Sequence, residues 1–334
     1  MSFVYPISNH DTWLALLASL IFGLFFAQVY IALAKIFPGK NLVQINDLIF
    51  GAYLGKLISL QYIYLFITLL SIYIWFMGDF VLTYIMPETP ILLILVMFTF
   101  IAAWAVRQGI EVIARTSIPF GLISALFVFL TFVLLSKDMD FTNLLPIFEV
   151  PLTDFIQSTH IITHITFSEV LVFLMVIPYS NEPKQVKKSV LWGLLMGGLV
   201  LLAATIRNIA ALGPLSSVVT SPSLEAVRLI NIAKIISRLE ILVAMAQILL
   251  LFLIASVLYY AAVLSLAQIT KLRSYLPLVL PIGIIAITLA LISYGSSMQL
   301  SYSSMYITPI FSVWFYFILP LISLIVAKLR KLPK

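Results

Sequence analysis

Residues 57–86 read LISLQYIYLFITLLSIYIWFMGDFVLTYIM, and Asp79 is the only charged residue among them. A second stretch, residues 241–269, reads ILVAMAQILLLFLIASVLYYAAVLSLAQI and carries no charge. An α-helix rises about 1.5 Å per residue, so about 30 residues reach about 45 Å, whereas the hydrocarbon core of a bilayer is about 30 Å thick. Both stretches therefore predict transmembrane helices that tilt strongly or project from the membrane.

The rest of the chain has the same character. Of its 334 residues, 63% are hydrophobic and 10% are charged, a balance that soluble domains do not have. Long apolar runs separated by short polar loops predict an all-α polytopic membrane protein without a soluble domain. Because the chain has no cysteine, disulfides, thiol catalysis and cysteine-ligated metals are excluded. The nine predicted spans are Trp13–Phe37, Leu57–Met86, Pro90–Val106, Ile118–Leu135, Ile161–Tyr179, Val190–Leu212, Ile241–Ile269, Leu276–Ser293 and Ile307–Ala327.

The basic residues predict the orientation of these spans. If the C-terminus is cytoplasmic, the outer side holds only five of the 19 Lys and Arg residues, and this asymmetry sets orientation by the positive-inside rule. Lys184–Lys188 then lies inside and Lys137–Asp154 outside. The net charge of +6 comes from short loops beside the spans, so we expect no nucleic-acid partner. The 14 inner residues are Lys35, Lys40, Lys56, Arg107, Arg115, Lys184, Lys187, Lys188, Lys271, Arg273, Lys328, Arg330, Lys331 and Lys334.

Two segments beside the long spans are predicted to be surface helices. Pro222-Ser223 is a helix-start signal, and polar residues recur every third position from Glu225 to Lys234 with apolar residues between them. This pattern predicts an amphipathic helix on the outer surface. On the inner side, Gln44–Lys56 resembles a shorter surface helix. Its Gly51 and Gly55 have a GxxxG spacing, which allows close packing of helices.

Ionisable residues inside spans are costly and mark functional candidates. Glu169 is the most informative, because it follows Thr166, Phe167 and Ser168 within an otherwise apolar run. Hydroxyl groups can satisfy backbone groups where a helix breaks, and a broken helix near the midplane can hold a zwitterion or an ion. We therefore predict a hinge within Thr166–Glu169 that opens on a cavity. The alternative is a carboxylate that pairs with an Arg of another span.

Other intramembrane polar residues favour structural roles. Arg207 lies near the outer end of its span and could meet Glu240, while Arg238 and Glu240 point to different faces of one helix, so we predict structural ion pairs here. His160 and His164 are one turn apart, but ordinary zinc sites need three or four converging ligands, so we predict no metal site and no cofactor. Asp79 is expected to lie near the outer interface. The long spans offer further cavity-lining candidates at Ser71, Tyr73, Gln247 and Ser256.

The chain contains no enzyme signature such as a zinc-protease motif or a phosphate loop, and we expect no enzymatic activity. It does resemble a family: the B subunit, the permease-like membrane subunit, of bacterial endospore germinant receptors, within the amino acid–polyamine–organocation superfamily. The resemblance runs over the whole chain. The residues that carry it are Asp11-Thr12-Trp13-Leu14, Phe167-Ser168-Glu169 through Pro178-Tyr179, Asn181-Glu182-Pro183-Lys184, Arg238-Leu239-Glu240 and Tyr275-Leu276-Pro277-Leu278-Val279-Leu280-Pro281.

The resemblance implies a leucine-transporter-like fold of ten spans in two inverted five-span repeats, although this sequence has nine. Residues 3–6 look like the tail of the family's first span, so we expect the start of the protein to lie upstream of Met1; the alternative is a truncated relative. A single transmembrane domain, 1–334, would then comprise 1–11 as the remnant of the first span and 12–136 as the rest of the first repeat. An outer loop, 137–160, would precede the second repeat and cytoplasmic tail, 161–334.

In function, the resemblance implies a sensor of the spore inner membrane. Such a subunit is expected to bind a small nutrient, often an amino acid, and to work with receptor A and C subunits. The family's ligand pocket maps onto Thr166, Phe167, Ser168 and Glu169 and onto the facing positions of the long spans. Two alternatives stay open: a proton- or sodium-coupled amino-acid transporter, and a membrane scaffold that only anchors its partner subunits. Fold alone does not separate them.

Overall fold

The computed structural model describes residues 4–230 and 239–332. This part of the chain is nearly all helical and contains nine helices long and apolar enough to cross a membrane. The protein is therefore an all-α integral membrane protein, as predicted. We name these helices in chain order: α1 Tyr5–Ile36, α2 Leu42–Tyr84, α3 Ile91–Gln108, α4 Ile110–Leu135, α5 Leu152–Met175, α6 Pro183–Ser217, α7 Glu240–Ile269, α8 Leu276–Ser293 and α9 Ser297–Leu329.

Helix α5 begins at Leu152, well before the predicted start at Ile161. Its first turns contain the polar residues Asp154, Gln157 and Thr159. Their low hydropathy is typical of a loop, so the sequence did not indicate that the helix begins here. Over its apolar window α5 is the most enclosed of the nine helices, with 72% buried inside the protein against 17% for α4. A helix buried in protein does not need the apolar surface that lipid demands.

Helix α2 lies at the centre of the bundle. Its most extensive partner is α7, and α3 and α8 pack against both. Helix α1 packs instead against α5 and α6. Length does not single out α2 and α7, because α1, α6 and α9 have 32, 35 and 33 residues once their terminal turns are included. The inverted five-span repeat stays a prediction.

The inner segment predicted before the second span is an arm of the same helix, separated from it by a kink. Gly51 has φ 83° and ψ 175°, a conformation that suits glycine, and it divides residues 42–50 from the membrane-crossing part of α2. A Cβ on Gly55 would lie only 2.7 Å from the carbonyl oxygen of Asn46, so this glycine allows the arm to fold closely against the span. From the far end of the chain, the Arg330 guanidinium donates to the carbonyl oxygen of Ile49 at 2.7 Å.

A helix is present over Pro222–Arg228, the first part of the predicted amphipathic segment, whose outer position stays a prediction. Leu224 and Val227 are buried, and the polar side carries an ion pair between Arg228 and Glu225 at 2.8 Å. The helix ends at Arg228, since Leu229 and Ile230 are not helical, and the rest of the predicted helix, with Lys234, lies outside the described residues.

The charge asymmetry makes a direct prediction for topology. Ser136, after α4, and Ser189, at the start of α6, are both exposed, and the chain has no native cysteine to interfere with labelling. We expect an impermeant thiol reagent added outside to label Ser136→Cys and to leave Ser189→Cys unlabelled until the membrane is permeabilised. Labelling of Ser189→Cys from outside, with Ser136→Cys protected, would reverse the orientation.

Candidate functional site

The fifth helix leaves α geometry at the place where the sequence predicts an interruption. Residues Thr163–Phe167 form a π-helical turn, and Ser168–Met175 continue as a 3-10 helix. Such changes of helical type leave backbone groups outside the regular ladder and often mark functional positions. The carbonyl oxygen of Thr163 accepts the backbone N–H of Ser168, which closes the π turn, and also the Ser168 hydroxyl at 2.9 Å. The helix therefore changes type at the predicted place, whereas the predicted hinge within Thr166–Glu169 and its opening on a cavity stay predictions.

Helix α1 braces this interruption through small residues. Ala15, Ser19, Gly23 and Ala27 recur every fourth position and are buried. This spacing allows two helix backbones to approach closely. Ser19 donates to the carbonyl oxygen of Thr159 at 2.9 Å, so a side chain of α1 holds the last regular turn of α5.

Glu169 is joined to the long helix α2. The Tyr73 hydroxyl donates to the Glu169 carboxylate at 2.7 Å, a contact between residues 96 positions apart in the chain. Glu169 is 8% exposed, so its carboxylate sits inside the protein. Of the predicted cavity-lining residues of the long spans, Tyr73 is the one that the structure brings into hydrogen-bond contact with the interrupted segment.

Tyr316 of α9 forms a cluster with Glu169 and Tyr73. Apart from its aromatic character, nothing in the sequence indicated that Tyr316 would lie at this site. It lies near enough to Glu169 and Tyr73 for an electrostatic interaction. Its ring also stacks near that of His164, with 6.3 Å between centroids. Within the described part of the chain, the Tyr316 hydroxyl and the His164 Nδ1 are buried and make no hydrogen bond. The Tyr316 hydroxyl is thus an uncommitted polar group near the Glu169 carboxylate, and the His164 imidazole lies on the other side of the Tyr316 contact.

Tyrosines from two other helices secure the backbone of α9 at this level. Residues Trp314–Ile318 form another π-helical turn. The Tyr30 hydroxyl donates to the carbonyl oxygen of Tyr316 at 2.6 Å, and the Tyr62 hydroxyl donates to that of Phe315 at 3.2 Å. The position of the Tyr316 side chain therefore depends on α1 and α2 as well as on α9.

The other predicted site residues are less closely connected. Ser71 is buried, but its hydroxyl donates to the Thr68 carbonyl oxygen of its own helix at 2.7 Å. Ser256 is fully buried in α7, and within the described residues its hydroxyl has no hydrogen-bond partner. Thr166 and Gln247 are partly buried. Their roles in ligand binding stay predictions.

The buried arginine in the C-terminal part of α6 has neutral hydrogen-bond partners. Arg207 is 1% exposed; it donates to the Thr131 hydroxyl at 2.5 Å and to the Asn208 side-chain oxygen at 2.8 Å. These bonds tie α6 to α4. The predicted pairing of Arg207 with Glu240 stays a prediction, and Arg238 lies outside the described residues.

Asp79 accepts from the Ser297 hydroxyl at 2.8 Å and joins α2 to α9.

The cavity predicted beside the interruption also stays a prediction. Glu169 and Ser168 are enclosed by protein. A groove of about 510 Å³ lies elsewhere, on the exterior of the helix bundle between α2 and α9. There the Gln61 side-chain oxygen accepts from the Trp314 indole N–H at 2.9 Å. A ligand would therefore reach Glu169 only after side chains or helices moved.

Comparison with known proteins agrees with this architecture. The family model described as spore germination protein matches residues 3–299. Spore germination protein KB of Bacillus subtilis is 28% identical over 291 residues, which cover 85% of this chain and 78% of that protein. Spore germination protein YndE of the same organism is 27% identical over 270 residues, covering 78% of this chain and 72% of that protein.

The matched region contains α1 through α8 and the start of α9, and so it includes both the interrupted helix and its Tyr73 partner. The chain belongs to the spore germination protein family, a family of permease-like membrane proteins.

Proposed function

We propose that this chain is the membrane subunit of a nutrient germinant receptor, which binds an amino acid in the spore inner membrane and thereby triggers germination. It works in this role with receptor A and C subunits. The observation that carries the proposal is the buried Glu169–Tyr73 pair at the interrupted part of α5. Membership of the spore germination protein family supports the same role.

The chemistry around Glu169 suits a zwitterion. An ammonium group has only donors, and a buried carboxylate such as that of Glu169 is a strong acceptor for it. A ligand carboxylate needs donors instead, which the Tyr316 hydroxyl and the His164 imidazole can supply, since neither makes a hydrogen bond within the described residues. Burial strengthens these interactions and makes unpaired partners costly, so a ligand with both groups is favoured over one with either alone.

Ligand binding by the isolated chain tests this proposal. We expect the purified protein in nanodiscs to bind one or a few members of an amino-acid panel with saturable one-to-one stoichiometry in isothermal titration calorimetry. An amide or a decarboxylated analogue of the binding amino acid should bind at least about tenfold more weakly, since each 1.4 kcal/mol of lost interaction changes the dissociation constant about tenfold.

Two outcomes would favour the other roles. If the folded protein binds no amino acid of the panel, the scaffold role replaces the receptor role. If it binds one and also accumulates it in proteoliposomes under a proton or sodium gradient, the transporter role is correct. A receptor is expected to bind without gradient-driven uptake.

A further inference from the structure

The loop that enters α5 carries large apolar side chains on its exposed side. Leu145, Phe148 and Leu152 are 58%, 64% and 71% exposed. Lys137, Asp138 and Asp140 precede them, and such charges are not expected inside the hydrocarbon region. Contiguous apolar side chains that face water and are rimmed by polar residues mark interaction sites. We call Leu145, Phe148 and Leu152 the loop patch.

The loop patch is held in place by hydrogen bonds on its inner side. The Asp11 carboxylate, which is fully buried, accepts from the backbone N–H of Phe148 at 3.0 Å and from that of Val150 at 3.3 Å. The backbone N–H of Asp140 donates to the carbonyl oxygen of Ala210 at 2.9 Å. The loop is thus fastened to the start of α1 and to α6. Its apolar side chains face outward on a backbone that is organised in advance, which lowers the entropic cost of binding.

Phe148 adds an independent observation. Its φ is 60°, a conformation that is costly for a non-glycine residue, of the order of 1–3 kcal/mol. Asn or Gly adopts this conformation more readily. The ring makes a contact with Phe155 at 5.5 Å between centroids, yet most of its surface stays exposed. A strained position that presents a phenylalanine to the exterior gains little in folding and is explained by a contact that the ring makes with a partner.

The charges around the loop patch select the kind of partner. Residues 136–156 hold one Lys against four acidic residues, although the whole chain has a net charge of +6. Asp138 and Glu149 are exposed. The Thr142 hydroxyl and backbone N–H donate to Asp140 and hold the pKa of its carboxyl below the usual range, so that it stays ionised. An acidic rim repels anionic lipid headgroups and attracts a protein surface with basic residues.

We propose that the loop patch is the docking surface for another subunit of the same receptor complex, and that the facing surface of that subunit has an apolar centre and a basic rim. The proposal rests on the proposed function only for the identity of the partner, which is taken to be a receptor subunit. The position of the binding surface and the chemistry of recognition are additional to that function. Phe148 is the central contact, and the acidic residues around it set the orientation of the partner.

Replacing Phe148 with Asn separates docking from folding. Because Asn tolerates positive φ, we expect Phe148→Asn to keep the thermal unfolding temperature of the purified chain or to raise it. We also expect at least about a tenfold weaker affinity for the purified A or C subunit, an effect within the range of central interface residues. Met86→Asn is the matched control: Met86 is 53% exposed and lies in another loop, between α2 and α3, so neither quantity should change.

The charge requirement has its own test. Asp138→Lys should weaken the complex, because it replaces an acidic residue of the rim with a basic one. Raising the ionic strength from about 0.1 M to about 0.5 M should weaken the wild-type complex, because salt screens exposed charges. Unchanged affinity of both Phe148→Asn and Asp138→Lys, or failure of the wild-type chain to bind either subunit, would overturn the proposal. A loss of thermal stability in Phe148→Asn would also overturn it, since the ring would then be a structural element.

The bilayer is the competing occupant. Phe148→Cys provides a unique thiol for an environment-sensitive fluorophore in proteoliposomes that contain phosphatidylglycerol and spin-labelled lipids. Little quenching is expected if the patch faces a protein partner, and strong quenching would assign the patch to the membrane instead. Nutrient binding by the isolated chain does not involve this surface, so failure here leaves the proposed function separately testable.

Discussion

Spores that carry Glu169→Gln are expected to need at least about tenfold more nutrient for half-maximal germination, while the amount of chain in their inner membrane stays near that of the wild type. Gln keeps the size of the side chain and an oxygen that can accept from the Tyr73 hydroxyl, but it cannot carry the negative charge that would pair with a ligand ammonium group. Hydrogen bonds to charged groups contribute roughly 1.5–3 kcal/mol, and about 1.4 kcal/mol corresponds to a tenfold change in binding.

Tyr73→Phe should shift the response in the same direction, because it removes the hydroxyl that donates to Glu169 and nearly preserves the volume of the ring. Tyr64→Phe is the matched control: it makes the same chemical change on the same helix at a residue that is 56% exposed. The double variant Glu169→Gln with Tyr73→Phe should show less than the sum of the two single effects, since neighbouring groups in one hydrogen-bonded pair are not independent.

Dose–response curves of germination, with immunoblots of inner membranes, separate the possible roles of Glu169. A structural ion-pair role would lower the abundance of the chain, because removing one partner of a buried pair typically costs about 3–5 kcal/mol. A normal response at normal abundance would remove Glu169 from the site. Thr166 and Ser168, whose hydroxyls can bind a ligand without charge, would then be the next candidates.

The second large effect is expected at Gly23, where α1 meets the interrupted part of α5. A Cβ added here would overlap the Cβ of Phe167. That atom is attached directly to the backbone and cannot rotate away, so the two helices must separate. Overpacking of this kind typically costs about 1–3 kcal/mol. We expect Gly23→Ala to lower the thermal unfolding temperature in detergent and the abundance of the chain, and Gly23→Val to do so more strongly.

Two glycines of α6 provide graded controls. A Cβ on Gly198 would lie 2.6 Å from the Cδ1 of Leu20, a flexible side-chain end that can rotate aside. A Cβ on Gly197 meets no atom within 4 Å. The expected order of destabilisation is therefore Gly23→Ala, then Gly198→Ala, then Gly197→Ala. Equal stability of the Gly23→Ala and Gly197→Ala variants would show that the contact between α1 and α5 is looser than the structure indicates.

Much of the architecture could be predicted from the sequence. The bilayer requires each crossing segment to have enough consecutive apolar residues. Such runs can be identified directly from the sequence. The predicted bounds agree with the structure at Leu276–Ser293 and, to within one residue, at α7. Helices α4, α5 and α9 begin eight to ten residues before their predicted starts, because their polar first turns do not register as transmembrane sequence.

The sequence also indicated where α5 loses α geometry, since a carboxylate flanked by hydroxyls is a local feature at 166–169. It left Tyr73 as one of several positions that could face Glu169, and it did not indicate Tyr316. Partners of this kind are separated by 96 and 147 positions along the chain. Only the packing of α2 and α9 around α5 decides which tyrosine reaches the carboxylate.

The sequence by itself thus determined the class of protein, the number and approximate limits of the predicted spans, and the place of the interruption. Only the tertiary structure decided that Tyr73 pairs with Glu169, that Arg207 donates to Thr131, and that Asp11 holds the strained Phe148. The physical reason is that the bilayer requires apolar residues within each crossing segment, and this requirement can be read locally in the sequence. A buried polar group, in contrast, is satisfied by whichever partner the folded bundle brings within hydrogen-bond distance.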